Sequence, residues 1–257
     1  MMSSTHAVLE TRALCKSFGA LAVTQNVNLS LEAGARHALI GPNGAGKTTL
    51  VNQLTGVLRP SSGTVLLDGE DVTRITPERR VRRGLSRTFQ INSLFPHLTP
   101  LEAVTTAICE RDRDTMGFAH RWIRGVSKSR AQLDEAHALL ASLGIERDCD
   151  LPTHELAYGR QRVLEIALAL AARPRVLLLD EPAAGIPEGE SDELFAVLDR
   201  LPSDVAILLI EHDMSLVFRF ATRITVLVGG AELVTGTPEE IGADPRVREV
   251  YLGQGVH

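Results

Sequence analysis

Nine consecutive residues, Gly41-Pro42-Asn43-Gly44-Ala45-Gly46-Lys47-Thr48-Thr49, constrain this chain more than any other stretch. They follow an apolar run, Ala38-Leu39-Ile40, and lead into Leu50-Val51-Asn52-Gln53-Leu54-Thr55, which reads as a helix. A strand, a glycine-rich loop ending in Gly-Lys-Thr and a helix together make the P-loop pattern. Each residue type has a physical reason. Glycines let the backbone wrap a triphosphate, so that several N–H groups point inward at the start of a helix. Lys47 supplies a point charge for the β- and γ-phosphates, and Thr48 a hydroxyl for magnesium. The alternative is a glycine-rich turn that matches by chance.

Bulk properties narrow the partners. A net charge of −5 over 257 residues leaves no basic footprint for nucleic acid, so none is expected. Cys15, Cys109 and Cys149 are scattered without metal-like spacing, and an odd, unpatterned count points to reduced thiols in the cytosol. Met1-Met2-Ser3-Ser4-Thr5-His6 opens no signal peptide. No run approaches the roughly 18 apolar residues of a membrane span. Any membrane role is therefore expected to be peripheral, through a partner that does the spanning.

Residues 7–16 and 21–31 read as two strands around a turn at Ser17-Phe18-Gly19-Ala20. Phe18 in that turn is either a hydrophobic plug or a platform for an adenine ring. Arg79, Arg80, Arg82, Arg83 and Arg87 read as a solvated helix face. Residues 100–145 look helical throughout. Val176-Leu177-Leu178-Leu179 and Val205-Ala206-Ile207-Leu208-Leu209-Ile210 read as buried parallel strands. Strands alternating with helices imply an α/β fold. The expected architecture is a P-loop NTPase core with a mostly parallel sheet, an antiparallel β subdomain and an inserted α-helical subdomain. Residues 1–90 and 161–257 would form the core, and residues 91–160 the helical insertion.

In such sheets ligands gather at the carboxyl ends of strands. Three strands here end in chemistry: Ile40 into the P-loop, Leu179 into Asp180-Glu181, and Ile210 into Glu211-His212. Asp180 suits magnesium and would complete the octahedron begun by Thr48. Glu181 could polarise an attacking water, and His212 could contact the γ-phosphate or hold that water. Each acid also has the plainer reading of a helix-capping carboxylate.

With these motifs in order, the chain resembles the ATP-binding-cassette superfamily over nearly its whole length. The resemblance rests on the P-loop, Gln90, the signature-like Leu156-Ala157-Tyr158-Gly159-Arg160-Gln161, the LLLDEP at residues 177–182, and His212. It places the adenine on Phe18 and gives Gln90 the role of a sensor joining γ-phosphate and magnesium to the helical subdomain. Within the superfamily, SRTFQINSLFPHLT, LIEHDMSLV, GTPEEI and the terminal VYLG resemble ATPase subunits of branched-chain amino-acid-type importers. That implies an ATPase with ATP and Mg2+, on the cytoplasmic face of the inner membrane. It would pair head to tail with a second ATPase subunit, drive two transmembrane permease subunits and serve a solute-binding protein indirectly. Each ATP would lie between one subunit's P-loop and the other's signature. Lipopolysaccharide export by an ATPase of the same fold is the nearest alternative. A soluble nucleotide-gated switch protein is another.

Three positions depart from the family pattern. Ala157 stands where the signature usually has serine, Arg160 where it has glutamine, and Pro187 where an Asp or Asn is usual. Elements acting on the subunit's own nucleotide are intact, and those reaching across to the partner's are altered. An unequal pair of sites in a heterodimer is one expectation; neutral drift with both sites active is the other.

Overall fold

The computed structural model describes residues 7–88, 94–115, 130–186 and 191–252. Contacts divide the chain into two units. One comprises Met1–Arg87, Arg175–Glu181 and Pro202–His257, and the other Thr88–Pro174 with Pro182–Leu201.

The first unit holds both sheets. In the antiparallel one, β1 (Ala7–Phe18) pairs with β2 (Leu21–Val27), β3 (Ser30–Glu32) and β5 (Ser62–Leu67), and β6 (Glu70–Asp71) extends it. Residues 21–31 do not form the single strand expected. Asn26 turns to φ 52°. The Asn28 side chain then takes over ladder duty, accepting from the Ala13 N–H at 2.8 Å and donating to the Asn26 carbonyl at 2.9 Å. Asparagine tolerates this geometry because its short amide bonds the local backbone.

The second sheet runs β11 (Ala231–Gly236), β10 (Arg223–Val228), β4 (Arg36–Ile40), β9 (Ala206–Ile210), β8 (Val176–Asp180), β7 (Leu85–Arg87), and only the β10–β11 pair is antiparallel. Every residue of β8 and β9 is buried, which is why their sequences are continuous apolar runs rather than alternating ones. Helix α1 (Lys47–Thr55) contributes Leu50, Val51 and Leu54 to a buried cluster that also takes Leu9, Leu14 and Val65 from the antiparallel sheet and Leu39, Leu178 and Leu208 from the parallel one.

The arginine-rich stretch is not a uniform solvated face. It folds as α2 (Pro77–Arg82) followed by the short strand β7. Arg79, Arg82 and Arg83 are exposed, but Arg80 is buried. Its guanidinium donates to the carbonyls of Gln53 (2.8 Å) and Leu54 in the last turn of α1, and to those of Ile75 (3.2 Å) and Thr73 (3.1 Å). The last carbonyls of a helix lack partners within it and carry partial negative charge, so a buried cation is stabilised there. Burial lowers the Arg80 pKa to about 10, which leaves it charged at neutral pH.

The second unit is helical: α3 (Pro100–Thr115), α4 (Arg130–Ser142), α5 (Tyr158–Ala171) and α6 (Ser191–Asp199). Against the expected helical segment of 91–160, it also takes in α5 and α6. The reason is packing, since Val163, Leu164, Ile166 and Ala167 of α5 are buried and α5 contacts α3, α4 and α6. Arg111 on α3 ties this unit together by donating to Glu135 on α4 at 2.7 Å and to the Ala171 carbonyl of α5 at 2.9 Å. None of Cys15, Cys109 and Cys149 is disulfide-bonded. Among the described residues no helix is long and apolar enough to cross a membrane.

Candidate functional site: three strand ends and a phosphate loop

Strands β4, β9 and β8 are neighbours and run parallel, so the segments that follow Ile40, Ile210 and Asp180 emerge along one edge. The loop after β4 is shaped by glycine. Gly41 has φ 156° and Gly46 φ 97°. A Cβ on Gly41 would sit 2.2 Å from the Leu227 carbonyl oxygen, and one on Gly46 2.5 Å from that of Val23. Side chains are excluded at both positions by backbone, so the loop is fixed against β10 and β2. The Ala45 N–H donates to Pro42 at 3.1 Å, and the Ala45 carbonyl accepts from Gly230 at 3.0 Å. Asn43, Gly44 and Thr48 stay exposed, and Thr49 half-buried.

Lys47 opens α1 and folds back over the loop. Its Nζ donates to the carbonyls of Gly41 (2.6 Å) and Pro42 (3.1 Å). Burial lowers its pKa, while the charges of Glu181 and Asp180 act in the opposite sense. The lysine and both acids therefore share one electrostatic field.

Asp180 ends β8 with its side chain only 4% exposed. Its Oδ2 accepts from Arg87 Nη2 at 2.5 Å, and Arg87 Nη1 donates to Asn52 Oδ1 at 2.8 Å. Glu181 follows with φ 47° and donates its N–H to the Ile210 carbonyl at 2.9 Å. A left-handed glutamate costs on the order of 1 kcal/mol or more, and such strain clusters where a side chain must be aimed.

His212 is 67% exposed, beside a Glu211 side chain that is wholly buried. The Glu211 carboxylate accepts from the His212 N–H at 3.0 Å and lies 3.5 Å from Nδ1. Asp213 then caps α7 (Met214–Phe220), accepting from the N–H groups of Ser215 and Leu216. The histidine is thus held by a carboxylate before it and a helix after it. Phe18 sits at the end of β1, 52% exposed, with Lys16 Nζ 5.0 Å from its ring centre. This is a surface ring, not a plug. Gln90 lies outside the described residues.

Magnesium takes hard oxygen ligands, and at nucleotide sites only one or two come from the protein. Among the described residues, no group of three or more His, Cys, Asp or Glu converges as a metal centre. The exposed Thr48 hydroxyl and the Asp180 carboxylate offer an oxygen-only pair. This donor set fits magnesium arriving with phosphate rather than a preformed cage.

The signature residues sit in the second unit. Leu156 is buried and Ala157 is the N-cap of α5, extended at φ −55°, ψ 150° with no side-chain cap bond. Tyr158 Oη donates to the Ala184 carbonyl at 3.1 Å and accepts from Arg162 Nη2 at 2.7 Å. Gly159 lies in the first turn, and Gln161 Nε2 donates to the Leu156 carbonyl at 2.9 Å. Arg160 turns away from the helix start. It donates to the Gly144 carbonyl at 2.7 Å and lies 3.7 Å from an Asp148 carboxylate oxygen. Its guanidinium is therefore already engaged within its own unit. Pro187 lies outside the described residues.

Sequence reasoning gave Tyr251 no role of its own. It closes the final helix α9 (Pro245–Leu252), and its hydroxyl is buried without a hydrogen-bond partner among the described residues. Burial pushes the phenol up to about 12, and the Gly41 N–H, short of hydrogen-bond geometry, offsets this only in part. The chain's last helix is thereby seated against the first glycine of the phosphate loop. Only the phrase VYLG hinted at it.

Residues 24–184 match the ABC transporter family. The chain belongs to that family. Residues 233–257, α8 (Pro238–Ala243) and Tyr251 included, match the family described as branched-chain amino acid ATP-binding cassette transporter. The chain is 39% identical over 256 residues to the high-affinity branched-chain amino acid transport ATP-binding protein BraF of Pseudomonas aeruginosa, covering 96% of this chain and 98% of that one. It is 39% identical over 252 residues to LivG of Escherichia coli, with the same coverage. The ribose import ATP-binding protein RbsA 1 of Streptomyces coelicolor is 37% identical over 244 residues, which are 95% of this chain but 46% of that one. A crystal structure of an ABC transporter ATP-binding cassette in its ADP conformation superposes with a TM-score of 0.82 at 27% identity, covering 96% and 99% of the two chains. This ABC cassette is an ATP-binding, ATP-hydrolysing transporter subunit, which implies membrane permeases as partners.

Proposed function

We propose that this ABC cassette drives import of branched-chain amino acids, hydrolysing magnesium-bound ATP on the cytoplasmic face of the inner membrane. The observation that carries the solute class is the match of residues 233–257. Overall identity alone does not separate amino-acid from ribose import. In this reading the backbone of residues 41–49 cradles the phosphates, Phe18 stacks on the adenine, and Lys47 neutralises charge on the transferring phosphoryl group. Thr48 and Asp180, with Gln90, would hold magnesium, which supplies Lewis-acid stabilisation of the phosphate oxygens when bound. Glu181 positions the attacking water and His212 supports it.

A second, non-identical cassette would seal this chain's site with its own signature loop, and this chain's Leu156-to-Gln161 loop would face the partner's nucleotide. Closure of the pair would move two permease subunits fed by a solute-binding protein. Loss of the γ-phosphate removes the contacts favouring closure and resets the assembly. The geometry at Ala157 favours unequal sites, since Arg160 is bound elsewhere. The site on this chain's P-loop and Glu181 turns over, and the one facing Ala157 mainly holds ATP.

Uptake of labelled leucine, isoleucine and valine in cells lacking this gene tests the reading. The wild-type chain restores uptake, while Lys47→Ala loses tight ATP binding and Glu181→Gln binds ATP without turnover. Unchanged branched-chain uptake in the deletion strain would reject the solute assignment. An ATP-binding isotherm unaffected by Lys47→Ala would reject the site.

A further inference from the structure

The arginine on Asp180 is the least expected feature of the site. Arg87 ends β7, opposite Leu178 of β8 in parallel register, and its guanidinium reaches two residues along to Asp180. The contact is short, 2.5 Å, between side chains only 14% and 4% exposed. The other arm holds Asn52, which lies four residues after Thr48 on α1. Residues i and i+4 stack on one helix face. A permanent, delocalised cation is therefore anchored one turn below the Thr48 hydroxyl and bonded to the carboxylate that would share magnesium with it.

From this placement we infer that Arg87 is a positioning residue that makes magnesium binding conditional on nucleotide. The inference rests on the assignment of Thr48 and Asp180 to the metal. With Oδ2 held by the guanidinium, Asp180 presents a partly neutralised carboxylate, and the nearby positive charge opposes a divalent cation arriving alone. When the metal arrives with a polyphosphate, the negative charge of the nucleotide outweighs that opposition. Asp180 is then fixed in direction by Arg87 and, through Asn52, by the helix that also carries Thr48.

The test is binding of Mn2+, a paramagnetic stand-in for Mg2+, followed by electron paramagnetic resonance on the full chain with and without ADP. Arg87→Met is expected to tighten nucleotide-free Mn2+ binding about tenfold, the scale on which one neighbouring full charge shifts a carboxylate's affinity for a proton. Arg87→Lys keeps the charge and is expected to stay within about threefold of the wild type. ADP affinity without metal, measured by calorimetry, reports whether each variant retains a folded phosphate loop. Should Arg87→Met bind ADP normally yet take up free Mn2+ no more tightly than the wild type, the proposal is overturned. Should it fail to bind ADP, Arg87→Gln supplies the same comparison, since it removes the charge but keeps a hydrogen-bond donor for Asp180 and Asn52. Its expected result is Mn2+ binding tightened in the same sense, and unchanged binding overturns the proposal. A wild-type ADP affinity indifferent to Mn2+ would instead fault the metal assignment itself, and the proposal with it.

Discussion

Replacing Ala157 by serine separates two roles that one hydroxyl can play. Ala157 is the N-cap of α5 with extended dihedrals and no side-chain bond to the first turn. A serine there accepts from the N–H of Gly159 or Arg160, and such caps contribute about 1 kcal/mol over alanine. For a chain of this size that raises the melting temperature by roughly 2–4 °C. Scanning fluorimetry on the isolated, nucleotide-free subunit reads this term alone. In the assembled transporter the same hydroxyl would face the partner's nucleotide, where a hydrogen bond to a charged phosphate contributes about 1.5–3 kcal/mol. That corresponds to about ten- to a hundredfold in rate or affinity at that site. The assay is ATPase turnover of the complex with Glu181→Gln in this chain, so that only the site facing position 157 reports. Arg160→Gln is the control. Because Arg160 is bound to Gly144 and near Asp148, it should cost some stability and leave turnover at that site unchanged. If Ala157→Ser gives no gain in turnover while Arg160→Gln abolishes it, the arginine already does the serine's work and the argument for unequal sites fails.

Other substitutions probe the scaffold. Arg80→Met removes four charge-assisted hydrogen bonds to backbone carbonyls and should cost about 2–4 kcal/mol, seen as a lower urea midpoint; an unchanged midpoint would show the cap to be dispensable. His37 is buried, bonded through Nε2 to Thr225 Oγ1 at 2.8 Å, and lowered to about 4 first by burial and then by Arg223. Its folded pKa lies below the unfolded value of about 6.5, so the unfolded chain takes the proton first. Stability is then lost as pH falls from about 6.5 to about 4, by up to about 3 kcal/mol. His37→Gln should flatten that slope in urea titrations at pH 7 and pH 4.5, and equal slopes in the two proteins would exclude His37 as its source.

The strand ends and loop that carry the candidate site were legible because they are local. The P-loop, the apolar run ending in Asp180-Glu181 and the run ending before His212 are contiguous motifs whose residue types leave few folds open. What escaped depends on partners far along the chain. Nothing near Arg80 marks it as the cap of α1, because Gln53 and Leu54 lie more than twenty residues earlier. Arg87 looked like one more surface charge, since the three-residue strand that carries it is too short to show periodicity. The split of residues 21–31 came from Asn28 replacing a ladder partner through its side chain. Arg160 and Tyr251 likewise take their surroundings from Gly144, Asp148 and Gly41, none of which adjoins them in sequence.

Strand β9 separates β4 from β8, so the backbone leading to Lys47 and the backbone ending at Asp180 are held about 10 Å apart, two inter-strand spacings. The rim of the sheet is an open span, and in the proposed function a polyphosphate with its ion would bridge it. Nucleotide would thus act as a structural beam as well as a fuel. Amide exchange should slow at all three loops together when ADP and magnesium are added.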